Sequence, residues 1–356
     1  MKRHLPLLYV FLLSSCVPSE DATQALVIDL PQSKHELFTG IIQKFETDTS
    51  RVVFLIDSQT DPDARPADLL FTDSTSLASL IAQSRISPID KELASGLLDG
   101  AVETFSKDNE LYGIPFSFET VALVCHRDLV SSQPASWEEL VDKGYKPSFT
   151  PGNAFETLFY LSGFQHSVSA ENGLVMEKAD AQQLNKWLAS QRSVFSVADY
   201  SEVVEKFSQK NSSCLIAGPW MVAALSEFDL IAIELPQVGP GAPLAPALSL
   251  GLALSNDSMN KELAERFLRL LASEDAQRQI YELSGVLPAT SAFTSEISNP
   301  LLRALLESNA EVFPVPDLSG SFAELAALEE LITDSLARNE NFETIYARYL
   351  EKLGEK

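Results

Sequence analysis

One candidate for acid–base chemistry is Glu119, a single carboxylate inside the apolar block LYGIPFSFETVALVCHRDL (111–129). General acid–base catalysis needs a second ionisable group within hydrogen-bond reach, and His126 and Asp128 follow within the same block. Glu119 and His126 are an odd number of residues apart, so they would face opposite sides of one strand. Glu119 therefore has three interpretations: a catalytic carboxylate, a group that reaches a ligand, or an ordinary polar residue beside a buried strand.

A second candidate is the match of Ser258 and Lys261 to the S-x-x-K pattern of acyl-enzymes. The companion motifs are absent, and an amphipathic segment follows directly. This setting favours a helix-cap role for Asn256, Asp257 or Ser258. The sequence also lacks a Walker A loop, a nucleophile elbow, a dinucleotide fingerprint and histidines at metal-ligand spacing. Enzyme motifs are therefore scarce, and we expect no cofactor and no metal site.

Two of the three cysteines, Cys125 and Cys214, lie inside the apolar runs LVCH and SCLIAG. Buried free thiols are the favoured interpretation, because cysteine packs as a small apolar residue. A disulfide formed in an oxidising compartment is the alternative.

The third cysteine, Cys16, follows a positive start and a short apolar core, LPLLYVFLL (5–13). The sequence LSSC resembles the lipobox of bacterial lipoproteins, which implies a signal peptide over residues 1–15 and acylation of Cys16. Residues 16–23 then form a polar tether. A plain signal peptide with an incidental cysteine is the alternative. No later segment is apolar enough for a transmembrane helix, so we expect an extracytoplasmic, lipid-anchored protein.

Composition sets the broad class. The chain has 356 residues, of which 45% are hydrophobic and 21% charged, as in globular proteins of roughly two domains. The net charge of −24 disfavours nucleic acid and anionic lipid as partners, which leaves the lipid anchor as the membrane contact.

Alternating strand-like and helical segments predict an α/β fold. The segment at 33–49 reads as a helix with a capping box between Ser33 and Glu36. The segment at 260–273 also reads as an amphipathic helix, and the remainder of the chain reads as helical to its end. The strand-like runs are ALVIDL (25–30), RVVFLI (51–56), ADLLFT (67–72) and SSCLIAG (212–218).

Ligands of open α/β sheets collect beyond the carboxyl ends of strands, where helix N-termini offer free amides. Four polar stretches suit that position, although no clear strand precedes the third: Ser33-Lys34-His35, Asp73-Ser74, Asn153-Ala154-Phe155 and Gly218-Pro219-Trp220.

In their order along the chain, these segments resemble the extracellular solute-binding proteins of ATP-driven importers, the group that contains maltose-binding protein. The resemblance covers nearly the whole mature chain. It is carried by the lipobox, ALVIDL, ADLLFTDSTSLASLI, LYGIPFSFETVALVCHRDL with ASWEEL, CLIAGPW, and the segment from LSLGLALS to SGVLPA.

The resemblance implies a periplasmic-binding-protein-like fold: two α/β lobes joined by hinge strands, with a ligand cleft between them. It implies a monomer that carries solute to a membrane permease and catalyses nothing. The predicted lobes are discontinuous, namely residues 24–117 with 251–303 and residues 122–246 with 308–356.

The resemblance also assigns site residues. Trp220 matches an aromatic that stacks on a sugar ring, Phe155 lies where a second stacking aromatic is common, and Glu119 matches a hinge acid that accepts hydrogen bonds from hydroxyls. Polar contacts are assigned to the loop residues Ser33, Lys34, Asp73 and Ser74. Further aromatic contacts are assigned to Phe116 at the hinge and to Phe322 in the C-terminal segment.

Aromatic platforms beside carboxylates suit the apolar faces and hydroxyls of a sugar. However, Thr72 and Phe322 stand where maltose-binding protein has tryptophans, which makes maltodextrin itself doubtful. The alternatives are the same scaffold binding a polyamine, a metal chelate or a peptide, a hydrolase that uses Glu119, and a lipoprotein with a degenerate cleft.

Overall fold

A computed structural model describes residues 25–58, 60, 66–130, 137–149, 158–159, 162–163, 174–192, 196–197, 200–233, 235, 244–307, 312–315 and 322–354. The strands are β1 Leu26–Asp29, β2 Val53–Ile56, β3 Leu69–Asp73, β4 Ser106–Lys107, β5 Glu110–Leu111, β6 Gly113–Pro115, β7 Ala122–His126, β8 Pro147–Phe149, β9 Ser196–Val197, β10 Cys214–Ala217, β11 Leu230–Ile233, β12 Ala245–Ala247, β13 Leu250–Leu254 and β14 Val312–Pro314.

The helices are α1 His35–Thr49, α2 Leu77–Ala82, α3 Asp99–Thr104, α4 Trp137–Asp142, α5 Lys178–Gln191, α6 Tyr200–Ser208, α7 Val222–Leu225, α8 Lys261–Leu271, α9 Glu274–Ser284, α10 Pro300–Glu307, α11 Phe322–Ala337 and α12 Phe342–Gly354. Short 3₁₀ turns occupy Gln32–Lys34, Ser74–Ser76, Lys91–Ala94, Pro219–Met221 and Thr294–Glu296.

The first sheet has the strand order β2-β1-β3-β13-β6. Strands β1, β2 and β3 are parallel, which confirms the β-α-β unit expected at the start of the chain. Strand β13 is antiparallel to both of its neighbours, β3 and β6, so the sheet is mixed. Strand β6 runs in the same direction as β1, β2 and β3, and β13 alone departs from the expected parallel arrangement.

Helix α1 covers this sheet with Phe38, Ile41 and Phe45, which are buried on one helical face. The predicted capping box is wrong, because the N-cap position is Lys34 and its side chain makes no cap hydrogen bond. Instead, a 3₁₀ turn leads into the helix, and the Lys34 N–H donates to the Pro31 carbonyl at 2.8 Å.

The second sheet has the order β11-β7-β10-β8-β9, with β7 antiparallel to both of its neighbours. Cys125 on β7 lies opposite Cys214 on β10, and the two form a disulfide. The favoured interpretation of free thiols is therefore wrong, and the alternative is correct.

Two crossing segments pair between the sheets. The Glu119 N–H donates to the Leu248 carbonyl at 2.7 Å, and the Leu248 N–H donates to the Glu119 carbonyl at 2.9 Å. Beside them, β12 and β14 form a parallel ribbon. Strand β14 lies in the region expected to be helical, so that expectation is wrong at Val312–Pro314.

Buried side chains form two clusters, one mainly around the first sheet and one on the outer face of the second. Helix α10 packs against β11 and β7 of the second sheet, although the predicted first lobe extends to residue 303. The predicted lobe boundaries remain predictions. None of the helices in the described part of the chain is long and apolar enough to cross a membrane.

Candidate functional site

The first sheet presents one edge to the crossing segments, which we call its hinge edge. Strand β3 ends there at Asp73, and β13 begins opposite it, with Leu250 paired to Asp73. Strand β6 ends at the same edge, where Pro115 pairs with Gly251. Because β1 runs parallel to β3, the loop that follows β1 also starts from this edge.

The second sheet has a matching hinge edge. Ala122 at the start of β7 lies opposite Ala217 at the end of β10. Glu119 comes three residues before Ala122, and Trp220 comes three residues after Ala217. The antiparallel pairing therefore brings the predicted hinge acid and the predicted stacking aromatic to the same end of the sheet.

Glu119 is half-buried in the crossing segment. Burial raises the pKa of its carboxyl group, and the positive charge of Lys34 partly offsets this rise. Lys34 is thus close enough to stabilise the Glu119 carboxylate, which brings together a residue of the first strand–helix loop and a residue of the hinge. Such a pair offers both hydrogen-bond donors and acceptors to a polar solute.

Ser33 and Lys34 both lie in the 3₁₀ turn Gln32–Lys34 at the hinge edge of the first sheet. Ser33 is exposed and Lys34 is half-buried. The following His35 fixes this turn, since its Nε2 lies 2.9 Å from the Leu30 carbonyl oxygen. Both predicted loop residues are therefore at the edge where the prediction requires them.

Asp73 is engaged by its own loop. Its carboxylate accepts a hydrogen bond from the Ser76 N–H at 3.0 Å and also contacts the hydroxyl groups of Thr75 and Ser76. This is a capping interaction, which satisfies free amides at the start of the helical segment. It supports the cap role that the sequence suggested as an alternative to ligand contact.

Ser74 is buried and ties this loop to the crossing segment. The Ser249 N–H donates to Ser74 Oγ at 3.1 Å, and the Ser74 N–H donates to the Ser249 carbonyl at 2.9 Å. In the neighbouring crossing segment, the Leu250 N–H donates to Ser117 Oγ at 3.2 Å. Sequence reasoning missed Ser117 and Ser249, because isolated serines in loops carry no distinctive signal.

Trp220 lies in the 3₁₀ turn after β10 with 37% of its surface exposed. Its indole ring lies over the backbone of Gly218, where an added Cβ would be 2.3 Å from Cζ3 of the ring. The missing side chain of Gly218 therefore leaves the space that the ring occupies. An exposed ring at the hinge edge suits stacking against a solute.

Phe116 is only 1% exposed and packs edge-on against Phe38, with ring centroids 5.3 Å apart. In this conformation it supports the hinge from inside the first core. Phe322 is the first residue of α11, but its side chain is outside the described set. Phe155 and Cys16 also lie outside the described residues.

The structure separates the groups that could have formed a catalytic pair with Glu119. His126 is buried, with Nε2 2.8 Å from the Phe207 carbonyl oxygen. Asp128 is exposed and pairs with Lys210 at 2.5 Å. No group of three or more His, Cys, Asp or Glu that could hold a metal ion occurs among the described residues.

Ser258 has a structural partner, since its hydroxyl donates to Asp68 Oδ1 at 2.8 Å. The N-cap position of α8 is Asn260, without a side-chain cap bond. The expected cap by Asn256, Asp257 or Ser258 is therefore wrong. The S-x-x-K match reflects a loop that is anchored on a buried carboxylate.

Two α/β bodies, joined by paired crossing segments and carrying polar and aromatic residues at their hinge edges, define the class of two-lobed binding proteins. The family profile of the bacterial extracellular solute-binding proteins matches residues 54–301, and the chain belongs to this family. Membership places the protein outside the cytoplasm, in agreement with its disulfide.

Individual relatives are distant. The maltodextrin-binding protein MdxE of Bacillus subtilis is 22% identical over 372 aligned positions, covering 92% of this chain and 88% of the relative. The galactooligosaccharide-binding protein of the same organism is 23% identical over 261 positions, covering 65% and 62%.

Solved structures show the fold. A solute-binding protein from Staphylococcus aureus in complex with maltose has a TM-score of 0.71 at 17% identity, covering 93% of this chain and 97% of that one. A cyclo/maltodextrin-binding protein complexed with maltotetraose has a TM-score of 0.70 at 17% identity, with the same coverage.

Proposed function

We propose that the protein is the solute-binding component of an ATP-driven importer and holds a sugar or small oligosaccharide between its lobes. The observation that carries this proposal is the position of Glu119 and Trp220 at one hinge edge, where the positive charge of Lys34 acts on Glu119. A carboxylate and an ammonium group suit sugar hydroxyls, and an exposed indole suits the apolar face of the ring. The names of the distant relatives from B. subtilis support a carbohydrate.

The direct test is a panel of mono- and oligosaccharides, read by intrinsic fluorescence and thermal shift. One sugar should give saturable stabilisation. Trp220→Ala should weaken the affinity for this sugar by about threefold to tenfold, the range expected for one aromatic contact. Phe54→Ala is the control, because it removes a ring of similar exposure from edge strand β2. Absence of stabilisation across a broad panel would contradict the sugar assignment.

We further propose that Cys16 carries the lipid anchor and that residues 16–23 are the tether. The lipobox-like LSSC supports this. Mass spectrometry of the protein extracted from membranes should show an acylated N-terminal cysteine. In a Cys16→Ser variant the protein should instead appear in the soluble extracytoplasmic fraction, and continued membrane retention would contradict the anchor.

The partner in this proposal is the transmembrane permease of the importer, to which the monomer delivers its solute without chemical change. Solute uptake by cells should stop when the gene for the protein is deleted and return when wild-type protein is supplied. Recovery of the sugar unaltered after incubation with the purified protein supports binding without catalysis, whereas turnover that Glu119→Gln abolishes would favour a hydrolase.

A further inference from the structure

The disulfide joins the two central strands of the second sheet at one specific rung. The His126 N–H donates to the Ser213 carbonyl at 3.0 Å, so the next rung, Cys125 opposite Cys214, is a non-hydrogen-bonded pair. Side chains lie closest together in such pairs, and the two Cα atoms are 4.1 Å apart. The disulfide therefore fits the native register of β7 and β10.

Side-chain polarity alone specifies this register weakly. All residues of both strands are buried, with Val124 and Leu215 facing one core cluster and Leu123 and Ile216 facing the other. Register is strongly specified when one face of a strand is apolar and the other polar, since a slip then exposes apolar groups. Apart from His126 at the end of β7, both faces of both strands are apolar, so a slip transfers no polar face into the core.

The register matters because it sets where the ends of the strands lie. The native rung Ala122–Ala217 places Glu119 and Trp220 at the same hinge edge. A slip of two residues, which keeps every side chain on its own face, moves one strand along the other by roughly 7 Å. Such a displacement is longer than a hydrogen bond, so the Glu119 carboxylate and the Trp220 indole would no longer lie together at the hinge edge.

The geometry points to the Cys125–Cys214 disulfide as a register lock that positions Glu119 and Trp220 for solute binding. Both cysteines are positioning residues, because neither touches the hinge edge. The bond closes a sequence separation of 89 residues, so it selects β10 in one register as the neighbour of β7. This inference rests on the proposed function of the hinge edge.

The test compares three forms of the full mature chain: the wild type, Cys125→Ala with Cys214→Ala, and that double variant with Leu123→Cys and Ile216→Cys added. Leu123 and Ile216 lie opposite each other two rungs from the native disulfide and on the same face. A bond between cysteines at these positions restores the native register without the native cysteines. The dissociation constant of the sugar that stabilises the wild type is measured for each form.

The double alanine variant should bind at least about tenfold more weakly while still folded by circular dichroism, the cost of losing about one aromatic contact. The relocated disulfide should restore binding. Equal affinity in all three forms, or failure of the relocated disulfide to restore it, would overturn the inference. Asp334→Asn serves as the control for stability, because it weakens the C-terminal helices without touching either strand.

If the wild type binds no sugar, the proposed function fails and a readout without solute decides the register. The emission of Trp220 is obtained for each form as the difference from its Trp220→Phe counterpart. A register lock predicts that this emission shifts in the double alanine variant and returns with the relocated disulfide. Unchanged emission in all three forms would contradict the lock independently of any ligand.

Discussion

The indole ring of Trp220 lies directly over Gly218, where a Cβ would be 2.3 Å from Cζ3 and 2.4 Å from Cη2 of the ring. Gly218 has an extended backbone, with φ at −125°, so its lack of a side chain is required by the close approach of the ring. The two residues act as one unit: the glycine leaves the space, and the ring fills it at the hinge edge.

Gly218→Ala should therefore displace the Trp220 ring. We expect a shift in the Trp220 emission and a loss of sugar affinity approaching that of Trp220→Ala, since the methyl group and the ring cannot share the site. Gly354→Ala is the matched control, because its Cβ would meet nothing within 4 Å. If Gly218→Ala retained both the emission and the affinity of the wild type, the ring would not depend on the glycine.

Because the carboxyl group of Glu119 has a shifted pKa, we expect a specific pH dependence of stability. Its pKa is raised by burial from an ordinary value of 4.5, with partial compensation by Lys34. Between 4.5 and the raised pKa, the folded state binds more protons than the unfolded state. The free energy of unfolding should therefore fall as pH rises through this window.

Glu119→Gln should remove this slope, which denaturant unfolding at pH 3, 3.5, 4, 5, 6 and 7 can measure. Glu296→Gln is an informative comparison, since hydrogen bonding to Arg278 lowers the pKa of Glu296. That contribution is present above the ordinary value of 4.5 and is lost as pH falls through the lowered pKa. The two variants should thus alter the pH profile with opposite signs, and a parallel change would contradict the assignment for Glu119.

The sequence predicted elements whose signal is local. Strands β1 to β3 and helix α1 are short apolar or periodic segments. The resemblance placed the Glu119 block at a hinge, and the structure has β6 in the first sheet and β7 in the second. Strands β13 and β14 were missed, because each is recognisable only beside a partner that is distant in the sequence. Strand β13 pairs with β3, a partner almost two hundred residues earlier in the chain.

For the site, the sequence predicted positions better than contacts. Asp73 and Ser74 lie at the hinge edge, yet Asp73 caps its own loop and Ser74 bonds to Ser249. Phe116 illustrates the same limit, since an aromatic residue in an apolar block fits a core and a binding surface equally well. The disulfide was the less favoured interpretation for a similar reason, because only the register of β7 and β10 brings Cys125 to Cys214.

Ser74→Ala should destabilise the hinge edge of the first sheet. Removing the hydroxyl leaves the buried Ser249 N–H without its acceptor, which costs about 1–3 kcal/mol. Ser33→Ala is the control in the neighbouring loop, where the side chain is exposed and the change should stay within about 0.5 kcal/mol. Urea unfolding of both variants measures the difference. Equal free energies of unfolding would contradict a structural role for the Ser74 hydroxyl.

Asp334 offers the last prediction, away from the site. Its side chain is only 3% exposed and pairs with Arg338 Nε at 2.8 Å and with Arg348 Nη2 at 2.5 Å, which links α11 to α12. Asp334→Asn removes the charge that both guanidinium groups share. Because both arginines remain partly hydrated, we expect a loss of about 1–3 kcal/mol, below the cost of breaking a fully buried pair.

The matched control is Asp229→Asn, which breaks an Asp–Arg pair with Arg127 whose side chains are both largely exposed. Exposed pairs contribute at most about 1 kcal/mol, so this variant should unfold close to the wild type. The unfolding free energies from urea titration should therefore differ clearly between the two variants. A similar small loss of unfolding free energy in both variants would mean that the burial of Asp334 does not strengthen its ion pairs. The sugar affinity should stay unchanged in both variants.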